Sequence, residues 1–88
     1  MFNMPAGKEP KPGAFARAVS DEIRHAMTNH RVSGAQLAGM IGRSQSYVST
    51  RLRNVQSFSA NDVETICKAL DEDLLRMLTA AVRRMRSH

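Results

Sequence analysis

The chain has 88 residues, 42% hydrophobic and 24% charged, enough for one small apolar core and too few for a second sensor or catalytic domain. Its formal net charge of +5 comes from 13 Lys and Arg against 8 Asp and Glu, which favours a polyanionic partner over an acidic or neutral one. The single cysteine, Cys67, excludes an internal disulfide, and the lack of a signal peptide or an apolar run of about 18 to 20 residues argues against export and membrane spanning, so the expected setting is cytoplasmic.

Residues 1–13 hold all three prolines, two glycines, Lys8 and Lys11, and read as a flexible N-terminal arm. The helix expected over 14–28 carries an inner stripe of Phe15, Val19, Ile23, Ala26 and Met27. Its outer side bears Arg17, Asp21, Glu22 and Arg24, with Arg17 and Asp21 spaced to pair. After a turn at 29–32, Ser33 caps the next helix and Gln36 reaches back to the cap amide, with Val32 placed as a hydrophobic staple. Leu37, Ala38 and Ile41 face inward, and Gly42 supplies the left-handed stop. Ser44 then caps a third helix in which Val48 and Leu52 face inward while Ser46, Ser49, Thr50 and Arg53 face out.

Residues 55–58 cross to a fourth helix, with Phe58 expected as a plug of the core. Ser59 and Asp62 repeat the cap signal, and Val63, Ile66, Cys67 and Leu70 form the inner face. Asp73 caps a fifth helix expected over 74–86, with a stripe of Leu74, Leu78, Ala81, Val82 and Met85 flanked by Leu75 and Met77; residues 87–88 are left as a tail. The pattern is all-α: five helices, and no stretch alternating apolar and polar residues over strand length.

A small-residue helix, a glycine turn and a short helix presenting Gln, Ser, Thr and Arg are what a helix-turn-helix needs to enter the DNA major groove. Leu37-Ala38, Gly42-x-Ser44-x-Ser46 and Val48-Ser49 resemble the core of the lambda-repressor-like (Cro and Xre) helix-turn-helix family of phages and bacteria, and the similarity continues more thinly from Ser59 to Leu70. Arg51 and Leu52 stand where many members have an apolar residue and then an acid, a departure that bears on how the recognition helix ends. Asn54 and Asp71 stand where glycine is common, and both residue types tolerate the left-handed conformation. The resemblance implies a compact five-helix DNA-binding domain over 14–86, acting as a transcriptional repressor on an operator.

Gln45, Ser46, Ser49 and Thr50 are the candidates for base readout, because the N-terminal part of the second motif helix faces base edges and glutamine can pair both adenine N6 and N7. Gln45 could instead only complete the first turn, and Ser49 could bond back to a helix carbonyl. Ser33, Gln36, Arg43, Ser44, Tyr47, Arg51 and Arg53 are the candidates for the DNA backbone, with capping alone sufficient for Ser33 and Ser44. Tyr47 could touch a phosphate or a thymine methyl, or pack beside the core with its hydroxyl in water. No acid occurs between Ile23 and Asn61, whereas Arg24, Arg31, Arg43, Arg51 and Arg53 fall in that span, a one-signed surface suited to phosphates.

His25, His30, His88 and Cys67 show no metal-ligand spacing, and no phosphate loop or nucleophile motif is present, so neither catalysis nor a cofactor is expected. The basic fifth helix fits extra phosphate contacts or a homodimer through the C-terminal helix. A competing reading, an antitoxin or adaptor docking a protein through the same helix, requires Leu78 and Met85 to face solvent. A third, non-specific nucleoid binding, requires equal affinity for unrelated duplexes.

Overall fold

A computed structural model describes residues 10–87 and contains five helices: α1 (Ala14–His30), α2 (Gly34–Ile41), α3 (Gln45–Leu52), α4 (Ala60–Ala69) and α5 (Leu74–Arg86). No strand occurs among the described residues, and none of the helices is long and apolar enough to cross a membrane.

Local chemistry accounts for the boundaries. The hydroxyls of Ser33, Ser44 and Ser59 and the carboxylate of Asp73 each accept from the amide three residues on, at 2.9 to 3.1 Å, and so satisfy first-turn donors that would otherwise be unpaired. Ser33 with Gln36 and Ser59 with Asp62 complete reciprocal capping boxes. At the other ends one device recurs four times. Arg31, Gly42, Asn54 and Asp71 take left-handed φ values of 55°, 71°, 60° and 55°. The residue after each returns its amide to the carbonyl five back: Val32 to Met27, Arg43 to Ala38, Val55 to Thr50 and Glu72 to Cys67, all at 2.8 to 3.0 Å. The first helix therefore runs two residues past its expected end, because arginine carries no sequence signal for a left-handed stop.

Ile23, Leu37, Val48, Ile66 and Ala81 are fully buried at the centre, ringed by Ala18, Val19, Ala26, Met27, Ala38, Val63, Cys67, Leu70 and Met77. The longest helices, α1 and α5, lie along each other, and the small residues Ala18, Ala26 and Ala81 let their backbones approach. The α2–α3 pair packs on α4 and on the middle of α1.

Three sequence expectations change here. The inward side of α5 is centred on Met77 and Ala81, not on Leu74 and Leu78: Met77 is 5% exposed, and Leu74 is 36% exposed. The rotation is tied by Arg84, whose guanidinium donates twice to Glu22 on α1 at 2.6 to 2.7 Å. Phe15 is 42% exposed, and Phe58 is a half-buried wall instead of a plug. Together with Val19, Val63, Leu74 and Leu78 these two aromatics line an apolar groove of about 480 Å³. The expected Arg17–Asp21 pair does not form among the described residues; instead Glu22 on α1 pairs with Arg84 on α5, and His30 at the end of α1 pairs at 2.8 Å with Glu72 in the junction before α5.

The left-handed stops differ in cost, since a β-carbon there costs about 1–2 kcal/mol unless the side chain is Asn or Asp. Replacing Arg31 by glycine should raise the melting temperature by about 2–6 °C, and Gly42→Ala, at φ 71°, should lower it by at least as much. Thermal unfolding followed by circular dichroism checks both.

Candidate nucleic-acid interface

The α2–α3 unit is two eight-residue helices about the left-handed Gly42, a length that is marginal in isolation, so its shape rests on caps and on neighbours. Space is not what selects glycine at 42, because a β-carbon would meet nothing within 4 Å; the positive φ is.

The third helix buries Val48 completely and turns Gln45, Ser46, Ser49 and Arg53 to solvent, with Thr50 half-buried at the edge of that face. Among the described residues the side chains of Gln45 and Ser49 bond to no protein group, while Arg53 donates from Nε to the Ser49 carbonyl at 3.3 Å and so lies along the outer face. Ser33, Gln36 and Ser44 are exposed at the two helix starts, with their oxygens occupied in capping. The four residues expected at base edges are thus on one surface, adjoined by both helix starts.

The inner side of α3 is gripped from two directions. From α1, the Ser20 hydroxyl, itself buried, donates to the Arg51 carbonyl at 3.2 Å, and Arg24 donates from Nη2 to the Leu52 carbonyl. These bonds satisfy the last carbonyls of a helix that has no acid at its end to hold an α1 arginine. From α4, Asp62 reaches in with 3% of its surface exposed. Its Oδ2 accepts from the Tyr47 hydroxyl at 2.6 Å and from the Ser59 amide at 3.1 Å, and its Oδ1 accepts from Arg43 Nη2 at 3.3 Å. One carboxylate therefore joins the α2–α3 turn, α3 and the cap of the next helix.

Burial by itself would push the Asp62 carboxyl up; the hydrogen bonds from Tyr47 and Ser59 and the charge of Arg43 outweigh it and hold the group below its usual range. Burial, then the bond to Asp62 and that group's charge, push the Tyr47 phenol up, against the pull of Arg51 and Arg43. The same two guanidinium groups lie over the tyrosine ring, Arg51 at 3.5 Å and Arg43 at 4.4 Å from its centre.

These contacts separate residues that the sequence grouped together. Arg51, expected to grip phosphate, is drawn inward: it stacks on Tyr47, donates from Nη1 to the Tyr47 carbonyl at 3.1 Å, and has its Nε buried without a partner. Tyr47 has its hydroxyl on Asp62, not in water. Arg43 keeps 45% of its side chain exposed beyond its bond to Asp62. Arg53 is exposed and lies along the outer face of α3, its side chain bonded among the described residues to the Ser49 carbonyl alone. Ser20, Arg24 and Asp62 were missed as parts of the site. Asp62 carried only a capping signal, and nothing in its spacing from Tyr47 announced a bond across fifteen positions.

Neither family models nor curated proteins match the chain. Solved structures do. One crystal structure of the clp gene regulator ClgR from Corynebacterium glutamicum superposes with a TM-score of 0.76 at 22% identity, covering 84% of this chain and 96% of that one. A second crystal structure of the same regulator gives 0.77 at 23% identity, over 88% of this chain and 81% of that one. At such identity the likeness establishes the fold.

Because the Asp62 value is lowered on folding, its stabilisation is complete above the ordinary carboxylate value of 3.8 and is lost as pH falls through the depressed folded value. Urea unfolding should therefore show Asp62→Asn less stable than the parent by about 1–3 kcal/mol at neutral pH. The gap should narrow progressively once the pH drops below about 4.

Proposed function

We propose that the protein is a sequence-specific double-stranded DNA-binding transcription regulator of the lambda-repressor-like (Cro and Xre) kind, a phage or bacterial repressor that occupies its operator with α3 in the major groove. The observation that carries this reading is the two-sided build of α3. Its inner side is tied to α1 and α4, while the side chains of Gln45, Ser46 and Ser49 stand on its outer side with no protein partner among the described residues. That arrangement gives fixed backbone and available polar ends, as base readout requires. The likeness to ClgR, a gene regulator, supports the same direction.

Gln45 is assigned to adenine N6 and N7, and Ser46 and Ser49 to neighbouring edges, with Thr50 in a smaller share because it is half-buried. Phosphates fall to Arg53, to the free nitrogens of Arg43 and to the helix starts at Ser33, Gln36 and Ser44. Arg51 and Tyr47 hold the helix from behind. The DNA-binding unit spans 14–86, preceded by the arm at 1–13, most of which lies outside the described residues. No catalytic role is assigned, and the bacterial cytoplasm, at the nucleoid, is the natural setting.

The adaptor reading needed Leu78 and Met85 in solvent; both are half-buried against the core. Leu75, 73% exposed on the outer side of α5, is the most exposed large apolar residue of that helix available for a homodimer on a palindromic site.

Selection from a randomised duplex library, followed by titration at two salt concentrations, tests the reading. The parent should enrich one motif. Gln45→Ala should lose about 1–3 kcal/mol at one base position while salt-sensitive weak binding persists. Arg53→Ala should weaken all duplexes alike and reduce the salt slope by about one. Uniform binding unaffected by Gln45→Ala would refute the proposal.

A further inference from the structure

The polar ties on α3 are unevenly placed. Its last turn is held from α1 through the Arg51 and Leu52 carbonyls, and its middle is seated by the fully buried Val48. The first half, which carries Gln45 and Ser46 and is followed directly by Ser49, has one polar side-chain bond to another helix among the described residues, the Tyr47 hydroxyl on Asp62 at 2.6 Å. Val48 is the one residue of this eight-residue helix that is fully buried, with Tyr47 and Leu52 partly buried beside it, so the bond on the Tyr47 flank is the polar contact that resists rotation of the first turns.

We propose that Asp62, on α4, is a positioning residue for base readout: acting through Tyr47, it sets the rotation of the recognition helix, although it is itself too buried to meet DNA. The inference rests on the DNA-binding function proposed above. Side chains reach about 5–6 Å from a helix axis, so a turn of about 10° displaces their ends by about 1 Å. That displacement exceeds the distance range over which a hydrogen bond to a base edge stays good. A long arginine such as Arg53 follows a phosphate through the same displacement, so sequence-independent binding is insensitive to it. The bond also keeps Arg43 directed across Tyr47 toward Asp62, so one carboxylate governs the rotation of the helix and the direction of a cation beside it.

The test compares four full-length proteins: the parent, Tyr47→Phe, Asp62→Asn and Met77→Ala. The last removes a buried α5 side chain remote from α3 and serves as the control for general destabilisation. The parent first selects an enriched duplex from a randomised pool. All four are then titrated with that duplex and with a scrambled one, at two salt concentrations and at a temperature where circular dichroism shows each folded. Tyr47→Phe should lower the ratio of enriched to scrambled affinity by about tenfold, entirely through the enriched duplex, with the salt slope unchanged; Asp62→Asn should lower the ratio at least as far, with a higher scrambled affinity because it also releases Arg43. A fifth protein, the Tyr47→Phe, Asp62→Asn double variant titrated in the same way, should lose no more than the worse single one, because both act on one bond. Met77→Ala should keep the parental ratio. If Asp62→Asn does not fold, Tyr47→Phe decides alone, since it keeps the ring and the bonds of Asp62 to Ser59 and Arg43. An unchanged ratio in Tyr47→Phe, or an equal loss in Met77→Ala, overturns the inference while leaving the DNA-binding reading intact. A parent that enriches no sequence overturns that reading and the inference with it, a result distinct from the other two.

Discussion

A carboxylate almost wholly removed from water, with no basic residue on its own helix bonded to it, is an expensive element in so small a domain. Its cost is offset because every side of Asp62 meets a donor: a phenol, a backbone amide and a guanidinium. Those donors come from α3, the cap of α4 and the turn between α2 and α3. Breaking one leaves a buried charge short of a partner, which costs more than the bond contributes when intact. The three segments are therefore bound into one unit, and α2 and α3, too short to persist alone, inherit their shape from it.

The stacked arginines follow from the same arrangement. With its hydroxyl bonded to Asp62 on α4, the Tyr47 ring also carries the Arg51 and Arg43 guanidinium groups over it. The cation count of the acid-free stretch thus overstates what the surface offers to phosphate. Arg51 serves the inside, Arg43 serves both, and Arg53 faces outward. Charge composition indicates the partner class, whereas placement decides which charges are available to it.

How much of this was legible in the chain depended on range. Caps and stops lie within five residues of their partners, so Ser33 with Gln36, Ser59 with Asp62 and the stop at Gly42 could be read directly, while the stops at Asn54 and Asp71 were suggested by the family resemblance, which commonly has glycine there. The stop at Arg31 could not, since arginine has no preference for that conformation and the bond geometry enforces it. The rotation of α5 was ambiguous on a helical wheel, where Met77 and Leu78 are both adjacent to Ala81. The Glu22–Arg84 pair and the fit of Ala81 against α1 settle it, and both span the chain. The outward set of Gln45, Ser46 and Ser49 followed from periodicity, but the support behind them did not, because a hydroxyl meeting a carboxylate across two helices leaves no periodic trace.

Tyr47 and Asp62 form one energetic unit that holds α3 against α4, and a double-mutant cycle measures it directly. The quantities needed are the unfolding free energies of the parent, Tyr47→Phe, Asp62→Ala and the double variant, from urea titrations at neutral pH. A coupling of about 1–2 kcal/mol is expected, the double variant being less destabilised than the sum of the singles. Losses that add to within about 0.3–0.5 kcal/mol would show two independent side chains and contradict the single unit.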